Sequence, residues 1–590
     1  MAESAALSVL IDAGLIAPVS DTSEPSLAFR HALIHDAAYA SLLRAERRML
    51  HRLVGESLES DFGAADPLDL APRLGEHFLE AGERSRARRY FTLAGDAATR
   101  RHANPEAIGH FRRALEASSD DEDPESLRHL SLALGQALEL SGRHPEALET
   151  YERLADAARR RAAPQLHLAA LMARAKIHVT LTPVHDPQRV RGLLEEARAA
   201  ARDGGDLATE SQVLWNLMVL LTWSAEHYAE AIRYGLEAAD LARRAESAER
   251  LAFALNDPSD PYVATRQFAA ARRVLEESGA LWRRLGNLPM LVDNLAQSAM
   301  VHYHFGELKS GSASAEEAVQ LSEQIGNVWG QTNSRLYRSH LLLERGEIGR
   351  ALHTIEEAIR LGEVSRHPGA LIAARVDLGL LLGVLGEVEA AARWIDEASR
   401  LAEAQGMWLR PYPFAGQARI ALLRGDLAEA RTALSQARRH LRPEGLFWFA
   451  PMLIPLSEGE LALSSRDLAA ARAAFDELQT LATTMPARTF LAEALRGRAR
   501  AAAADGDTQG ALANLEKSRD ACHAIGSRWR LLPVLADLAT LRAQIQDASG
   551  AAEARREARA IVGLLLDGLP DESLRATFAQ RPHVRALTTS

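Results

Sequence analysis

The chain has 590 residues, 47% of them hydrophobic, only 5% aromatic and 25% charged, with a net charge of −10. That length corresponds to roughly three to six ordinary domains or to one repeat array. The apolar content excludes a disordered chain, the single cysteine, Cys522, excludes an intramolecular disulfide or a cysteine-based metal cage, and the acidic balance gives no sign of a nucleic-acid face.

At the N-terminus, Met1–Ala17 carries Glu3 and Asp12 and lacks the basic start of a secretory signal. Ala5–Ala13 reads as a short helix. Leu15–Val19 and Ser26–Arg30 read as strands around a turn of Asp, Ser and Pro. Phe29–Tyr39 (FRHALIHDAAY) leads into an amphipathic helix that ends near Glu59. Helix, small hairpin, helix is the second half of a winged-helix module. No uninterrupted run of 18 apolar residues exists, so no membrane span is expected and the chain reads as cytoplasmic.

A repeat begins beyond residue 60. The phrases RGEIGRAL, LGEVEAAA, RGDLAEAR and DGDTQGAL each combine a turn with a helix start. Register marks fall at His102, Gly142, His185, Glu226, Arg266, Gly306, Gly346, Gly386, Gly425, Arg466, Gly506 and Gln546, spaced 39 to 43 residues apart. Five residues after the mark, ten of twelve occupants are Ala and one is Gly. Nine after it stand large apolar residues such as Phe111, Tyr151, Ile355, Ile395 and Phe475. Twelve after it stand Ala or Ser, as at Ala114, Ala318, Ala358 and Ala437. Steps of four and three place these positions on one helical face. Small residues let two helix backbones approach closely, and the large one fills the groove. A second apolar helix precedes each mark, as in Ala373–Leu385. One such pair cannot bury its own stripe, so the pairs must stack.

Two features interrupt the array. Asn256–Tyr262 (NDPSDPY) sets two prolines and several capping residues inside a first helix, which predicts a loop or hinge. Six of eight tryptophans fall on first helices, four of them 17 or 18 residues before the mark. In-phase tryptophans are read as plugs between repeats. Trp408, Arg410, Tyr412, Phe447 and Trp448 crowd two adjacent units, however, and Arg335, Tyr337 and Arg338 extend the strip. These eight residues are the candidate ligand groove, because Trp, Tyr and Arg dominate binding hot spots.

The Gly-x4-Ala-x3-large-x2-Ala pattern resembles the tetratricopeptide repeat, with HEAT repeats as the alternative at this period. The segment FRHALIHDAAYASLLRAERRMLHRLVGESLE resembles the link between ATPase core and repeats in bacterial STAND regulators. That group includes the MalT-like transcription regulators and ATPases fused to class III nucleotide cyclases. The resemblance implies that His31 matches a histidine that senses bound ADP. The chain has no G-x-x-x-x-G-K-[ST], so it lacks the phosphate cradle such a histidine serves. His31 is therefore a vestigial nucleotide-sensor candidate. No metal site, cofactor or catalytic constellation is expected.

Together these features predict an all-α, right-handed tetratricopeptide-like solenoid of about twelve helix pairs. The expected domains are a partial winged-helix module and linking helix at 1–60, the solenoid at 61–568 with a break near 256–262, and a C-terminal cap at 569–590. The expected function is a non-catalytic scaffold or sensor. It binds a protein, peptide or small effector on its concave face, in signalling or transcriptional regulation. The alternative is the sensor half of a STAND ATPase or nucleotide-cyclase regulator, acting with a nucleotide-binding domain in trans. Neither nucleic acid nor membrane is an expected partner.

Overall fold

Every register mark that can be placed is a point where the backbone turns back through the left-handed region. The computed structural model describes residues 2–19, 26–61, 67–101, 103–119, 123–179, 186–223, 227–405, 409–442, 449–485 and 487–588. Nine marks lie among these, and all nine have positive φ: Gly142, Gly306, Gly346, Gly386, Gly425 and Gly506, but also Arg266, Arg466 and Gln546. Glycine suits the position and is not obligatory there. The residue after the mark starts the second helix. In several repeats it is an aspartate whose carboxylate accepts the backbone N–H three residues on, as Asp426 does from Glu429 (2.9 Å) and Asp507 from Gly510 (2.8 Å).

The helices come in the predicted pairs, for example Val328–Glu344 with Ile348–Ser365 and Pro368–Leu385 with Val388–Ala404. The notch residues point into the stack. Ala351, Ala391, Ala430 and Ala471 are fully buried, as are Ala318, Ala358 and Ala437. The large residue between them sits on a glycine of the same unit's first helix, sixteen residues earlier. A Cβ on Gly95 would stand 2.5 Å from the Phe111 ring, on Gly379 2.5 Å from Ile395, and on Gly459 2.5 Å from Phe475. Replacing Ala391 by leucine should overpack this contact and cost about 1–3 kcal/mol in urea denaturation, whereas Arg393→Leu on the same helix should change stability by less than about 0.5 kcal/mol.

The chain divides into two compact units, Met1–Gly205 and Asp206–Ser590. The division lies inside the predicted 61–568 solenoid and not near 256–262. In the first unit, helix Ala2–Asp12 precedes an antiparallel hairpin, Ile16–Val19 with Ser26–Phe29, in which Ile16 pairs with Phe29. The single amphipathic helix expected after it is broken. Ala32–Ser41 and Arg44–Asp61 are separate helices, with Leu42 extended between them.

In the second unit, the expected loop at 256–262 is mostly helix: Ala248–Asn256 ends, and Ser259–Ala264 restarts at once. Pro258 is the N-cap and Pro261 lies in the first turn, where no intrahelical N–H bond is lost. Pro258 also fills the space beside Gly235. Helix Pro368–Leu385 is long and apolar enough to cross a membrane by length and composition, but it is mostly buried as the first helix of a repeat. The C-terminal helices Glu572–Ala579 and Pro582–Thr588 anchor Phe578, Val584 and Leu587 in the core.

Candidate functional site

The second unit closes on itself. First helices five repeats apart meet: Leu288–His304 touches Arg488–Ala504, and Val328–Glu344 touches Arg528–Gln544. The first helices therefore line the inside of one superhelical turn. Several of their polar residues stand 13, 9, 6 or 2 residues before the mark, a second stripe with helical spacing. Polar residues gather on it: Asp257, Gln297, Tyr337 and Asp377 all stand nine before their marks.

The closure is a seam held by Glu344, which is 1% exposed. Its carboxylate accepts from Arg530 Nε (2.8 Å), Ser527 Oγ (2.5 Å) and Tyr303 Oη (3.1 Å). Ser527 lies 183 residues away in sequence. Arg530 also reaches Glu493 (3.2 Å) and stacks over the Phe490 ring. Burial alone would lower the Arg530 guanidinium; the Glu344 carboxylate, followed by Tyr303 and Glu493, outweighs it and raises it. Further along, Arg528 donates to the Arg345 carbonyl (3.4 Å) and Thr577 to Glu387 (3.2 Å), so the C-terminal cap belongs to the seam.

Behind the seam lies an aromatic hub centred on Phe449. The rings of His340 (4.8 Å), Tyr303 (6.0 Å), Tyr412 (6.0 Å), His304 (6.2 Å) and Phe490 (6.2 Å) surround it. Asp377 ties two of them down, accepting from the Tyr412 hydroxyl and lying 2.8 Å from His340 Nε2. Burial, then the Asp377 carboxylate, holds the Tyr412 phenol far above its usual range. Burial, then His340, pushes His304 down to about 3, which keeps it neutral.

On the same inner face, the helix break at Asp257 gathers three carboxylates. Trp215 Nε1 donates to Asp257 Oδ2 (2.7 Å). Asn256 Nδ2 donates to both Asp257 Oδ1 (3.1 Å) and Asp293 Oδ2 (2.9 Å), and Gln297 Nε2 donates to Asp293 (2.8 Å). Every one of these donors is neutral. Burial raises Asp257; burial and the Asp257 charge push Asp260 up to about 7; burial with both neighbours pushes Asp293 up to about 7. Burial and the charges of Asp260 and Asp293 also raise Tyr337. Among the described residues no group of three or more His, Cys, Asp or Glu is arranged to hold a metal ion, this trio included.

The predicted groove is dispersed. Trp408, Phe447 and Trp448 lie outside the described residues. Tyr412 is buried in the hub, and Arg410 donates to the Glu403 carbonyl (3.3 Å). Arg335 is 6% exposed and is engaged by Glu323 and Glu357 (3.2 Å), while Arg338 pairs with Glu316 (2.9 Å). Of the strip, only Tyr337 stands at the carboxylate trio. His31 is exposed at the start of helix Ala32–Ser41, at its N-cap, and its side chain makes no capping bond. Sequence reading missed all three: Asp257 and Asp260 pass for helix caps within NDPSDPY, and Asp293 is a single acid on a first helix. The stripe before each mark was the signal that could have found them.

Comparison with known proteins agrees with this architecture. The MalT-like TPR region family model matches residues 217–517, just over half of the chain. A curated Rhizobium meliloti (strain 1021) protein, uncharacterized protein R02095, is 31% identical over 137 residues; the match covers 22% of this chain and 13% of that protein. Among solved structures, the APC/C heterotetramer Cut9–Hcn1 is similar at 14% identity, with a TM-score of 0.51 over 85% of this chain and 94% of that one. A STAND protein with a tetratricopeptide repeat sensor, PH0952 from Pyrococcus horikoshii, is similar at 14% identity and TM-score 0.44, over 71% of this chain and 66% of that one. The repeat signature, its left-handed turns and buried notches, and the family match agree: the chain belongs to the MalT-like TPR region family.

Proposed function

We propose that the chain is a non-catalytic tetratricopeptide scaffold that senses a protein, peptide or small effector on the inner face of its second unit, in signalling or transcriptional regulation. The trio Asp257, Asp260 and Asp293 carries this reading. Crowded carboxylates, two of them held only by neutral donors, cost folding stability, and a ligand that supplies a basic group would relieve that cost. Trp215 and Tyr337 offer aromatic surface beside them, suited to an ammonium or guanidinium group. The strip of Trp408, Arg410, Phe447 and Trp448 remains part of the proposed surface. The test is a thermal-shift panel of amines and of arginine- or lysine-containing peptides. A hit should stabilise the wild type and lose its effect in an Asp257→Asn/Asp260→Asn/Asp293→Asn variant. A hit that binds this variant undiminished would refute the assignment.

A second reading is favoured by the first unit. Helices Ala2–Asp12, Ala32–Ser41 and Arg44–Asp61 leave Leu33 (81% exposed), Leu43 (70%) and Val9 (66%) in solvent, together with Met49, Leu53 and Phe29. Large apolar side chains this exposed, gathered on the elements of one small module, suit a surface that a partner covers. In this reading the partial winged-helix module, with His31, packs on the nucleotide-binding domain of a STAND ATPase or cyclase regulator. Co-purification of the chain with such a domain, abolished by Leu43→Asp/Leu53→Asp, is the expected result. Failure to co-purify with any P-loop partner encoded beside it would count against this reading.

A further inference from the structure

We infer that His51 and His77 form a proton-controlled joint: while at least one of the two rings is neutral, the pair holds the N-terminal module against helix Pro67–Ala81, and protonation of both releases it. This adds regulation to the reading of that module as a docking element; its test needs no partner, so the two can fail separately.

Three observations carry it. First, a relay of three side chains crosses three helices. The Tyr39 hydroxyl, on helix Ala32–Ser41, lies 2.9 Å from His51 Nε2 on helix Arg44–Asp61, and His51 Nδ1 lies 2.9 Å from His77 Nδ1 on helix Pro67–Ala81. Two Nδ1 atoms at that distance form a hydrogen bond only if one carries a proton and the other does not. Two imidazolium rings would set N–H against N–H and charge against charge, so the bond becomes a repulsion.

Second, the relay is what ties the module down. Helix Ala32–Ser41 has no buried residue. Among the described residues, the contact of Tyr39 with His51 is its only hydrogen bond to helix Arg44–Asp61, supported by the Arg47 guanidinium over the Tyr39 ring (5.3 Å). Leu42 is extended between the two helices, and Leu33 and Leu43 lie in solvent. Helix Pro67–Ala81, in contrast, buries Leu74 and Phe78 in the core of the repeats. The module therefore rests on polar contacts, and the histidine pair is the part of them that titrates near neutral pH.

Third, among the described residues no carboxylate pairs with either ring. On the neighbouring helices, Asp36 pairs with His35, Glu76 with Arg113 and Asp96 with His129. On the helix of His51, Glu46 accepts the Leu43 N–H, and Glu56 and Glu59 pair with Arg86. Glu83 takes Arg52 and Arg86, and Glu80 is exposed. The remaining titratable neighbour, His35, stacks on Tyr39 (6.1 Å). Burial, then His51 and Arg73, hold the His77 ring below its usual range. A histidine so held favours the fold in its neutral form, so the joint is complete above about pH 6.5 and is lost as pH falls below it.

The experiment is hydrogen–deuterium exchange of the full chain at pH 8 and pH 5, corrected for the intrinsic pH dependence of exchange. It is read on helix Ala32–Ser41, with helix Asn104–Ala117 as the internal reference. Relative to the reference, exchange of Ala32–Ser41 should rise about tenfold at pH 5 in the wild type. His77→Gln, whose amide can donate to His51 or accept from it, should abolish the rise. Tyr39→Phe, which cuts the link but keeps both histidines, should exchange fast at both pH values. Equal exchange at the two pH values in the wild type, or a full rise in His77→Gln, would overturn the joint. Should His77→Gln lose helical circular dichroism, Tyr39→Phe decides alone: slow exchange of Ala32–Ser41 at pH 8 in that variant overturns the joint as well.

Discussion

Glu344→Ala should destabilise the second unit by roughly 3–5 kcal/mol, the typical cost of stranding one partner of a buried ion pair. Arg530 would keep Glu493 but lose its closest carboxylate, and Tyr303 and Ser527 would each lose an acceptor. The pair itself is a different matter. Its attraction largely repays its desolvation, so Glu344→Leu with Arg530→Met should cost much less than the sum of the single changes. Urea denaturation of the four proteins gives the coupling. Additive losses would mean that the two side chains do not meet in solution.

The second large effect is a pH dependence. Asp260 and Asp293 are held at about 7, above the usual carboxylate range. A carboxyl whose folded value is raised adds stability that is complete below its unfolded value, near 4, and lost as pH rises through 7. The trio should therefore cost the second unit stability on the order of 2–4 kcal/mol between pH 5 and pH 8, relative to a chain that lacks it. Glu460 and Glu307, whose values are lowered, oppose it only below their own range, but His304 and His367, held by burial at about 3 and about 4, gain stability up to about pH 6.5 and oppose the trio there, so the trio is read from the difference between wild type and variant. The Asp257→Asn/Asp260→Asn/Asp293→Asn variant should gain stability from pH 5 to about 6.5 through the two histidines, stay level above it, and be more stable than wild type at pH 8. Parallel profiles for the two proteins would remove the electrostatic account of the trio. A basic ligand should bind the wild type more tightly at pH 8 than at pH 6, because binding requires the charged carboxylates.

The repeats were legible because their cause is local and periodic. A left-handed turn, an aspartate cap and alanine notches recur every forty residues or so, and each copy repeats the same few interactions. The ring closure was not legible in the same way. It depends on a small rotation per repeat summed over five repeats, and no single unit encodes that sum. The glycines at 306, 346 and 386 hint at it only after the fold shows that Gly425 and Gly506 occupy the same turn with open space around them. The candidate site was half legible. Tyr337 was picked out for its aromatic ring, whereas Tyr412 and Arg335 were credited to an open groove and are buried. The aspartates at 257 and 260 were read as helix stops, because two prolines follow them closely. Pro258 and Pro261 fall at a helix start, where they are tolerated, so a short helix resumes at once, with Asp257 at the break and Asp260 in the new first turn.

The closed turn is the claim on which the inner-face site depends, and a disulfide reports it directly. A Cβ on Gly346 would stand 3.3 Å from the Cβ of Arg528, about the separation a disulfide spans. The natural Cys522 is buried and does not compete. Under mild oxidation, Gly346→Cys/Arg528→Cys should form an intramolecular bond in most native molecules and in few molecules unfolded in urea. A native protein that keeps both new thiols free, or links only between chains, would contradict the closed ring.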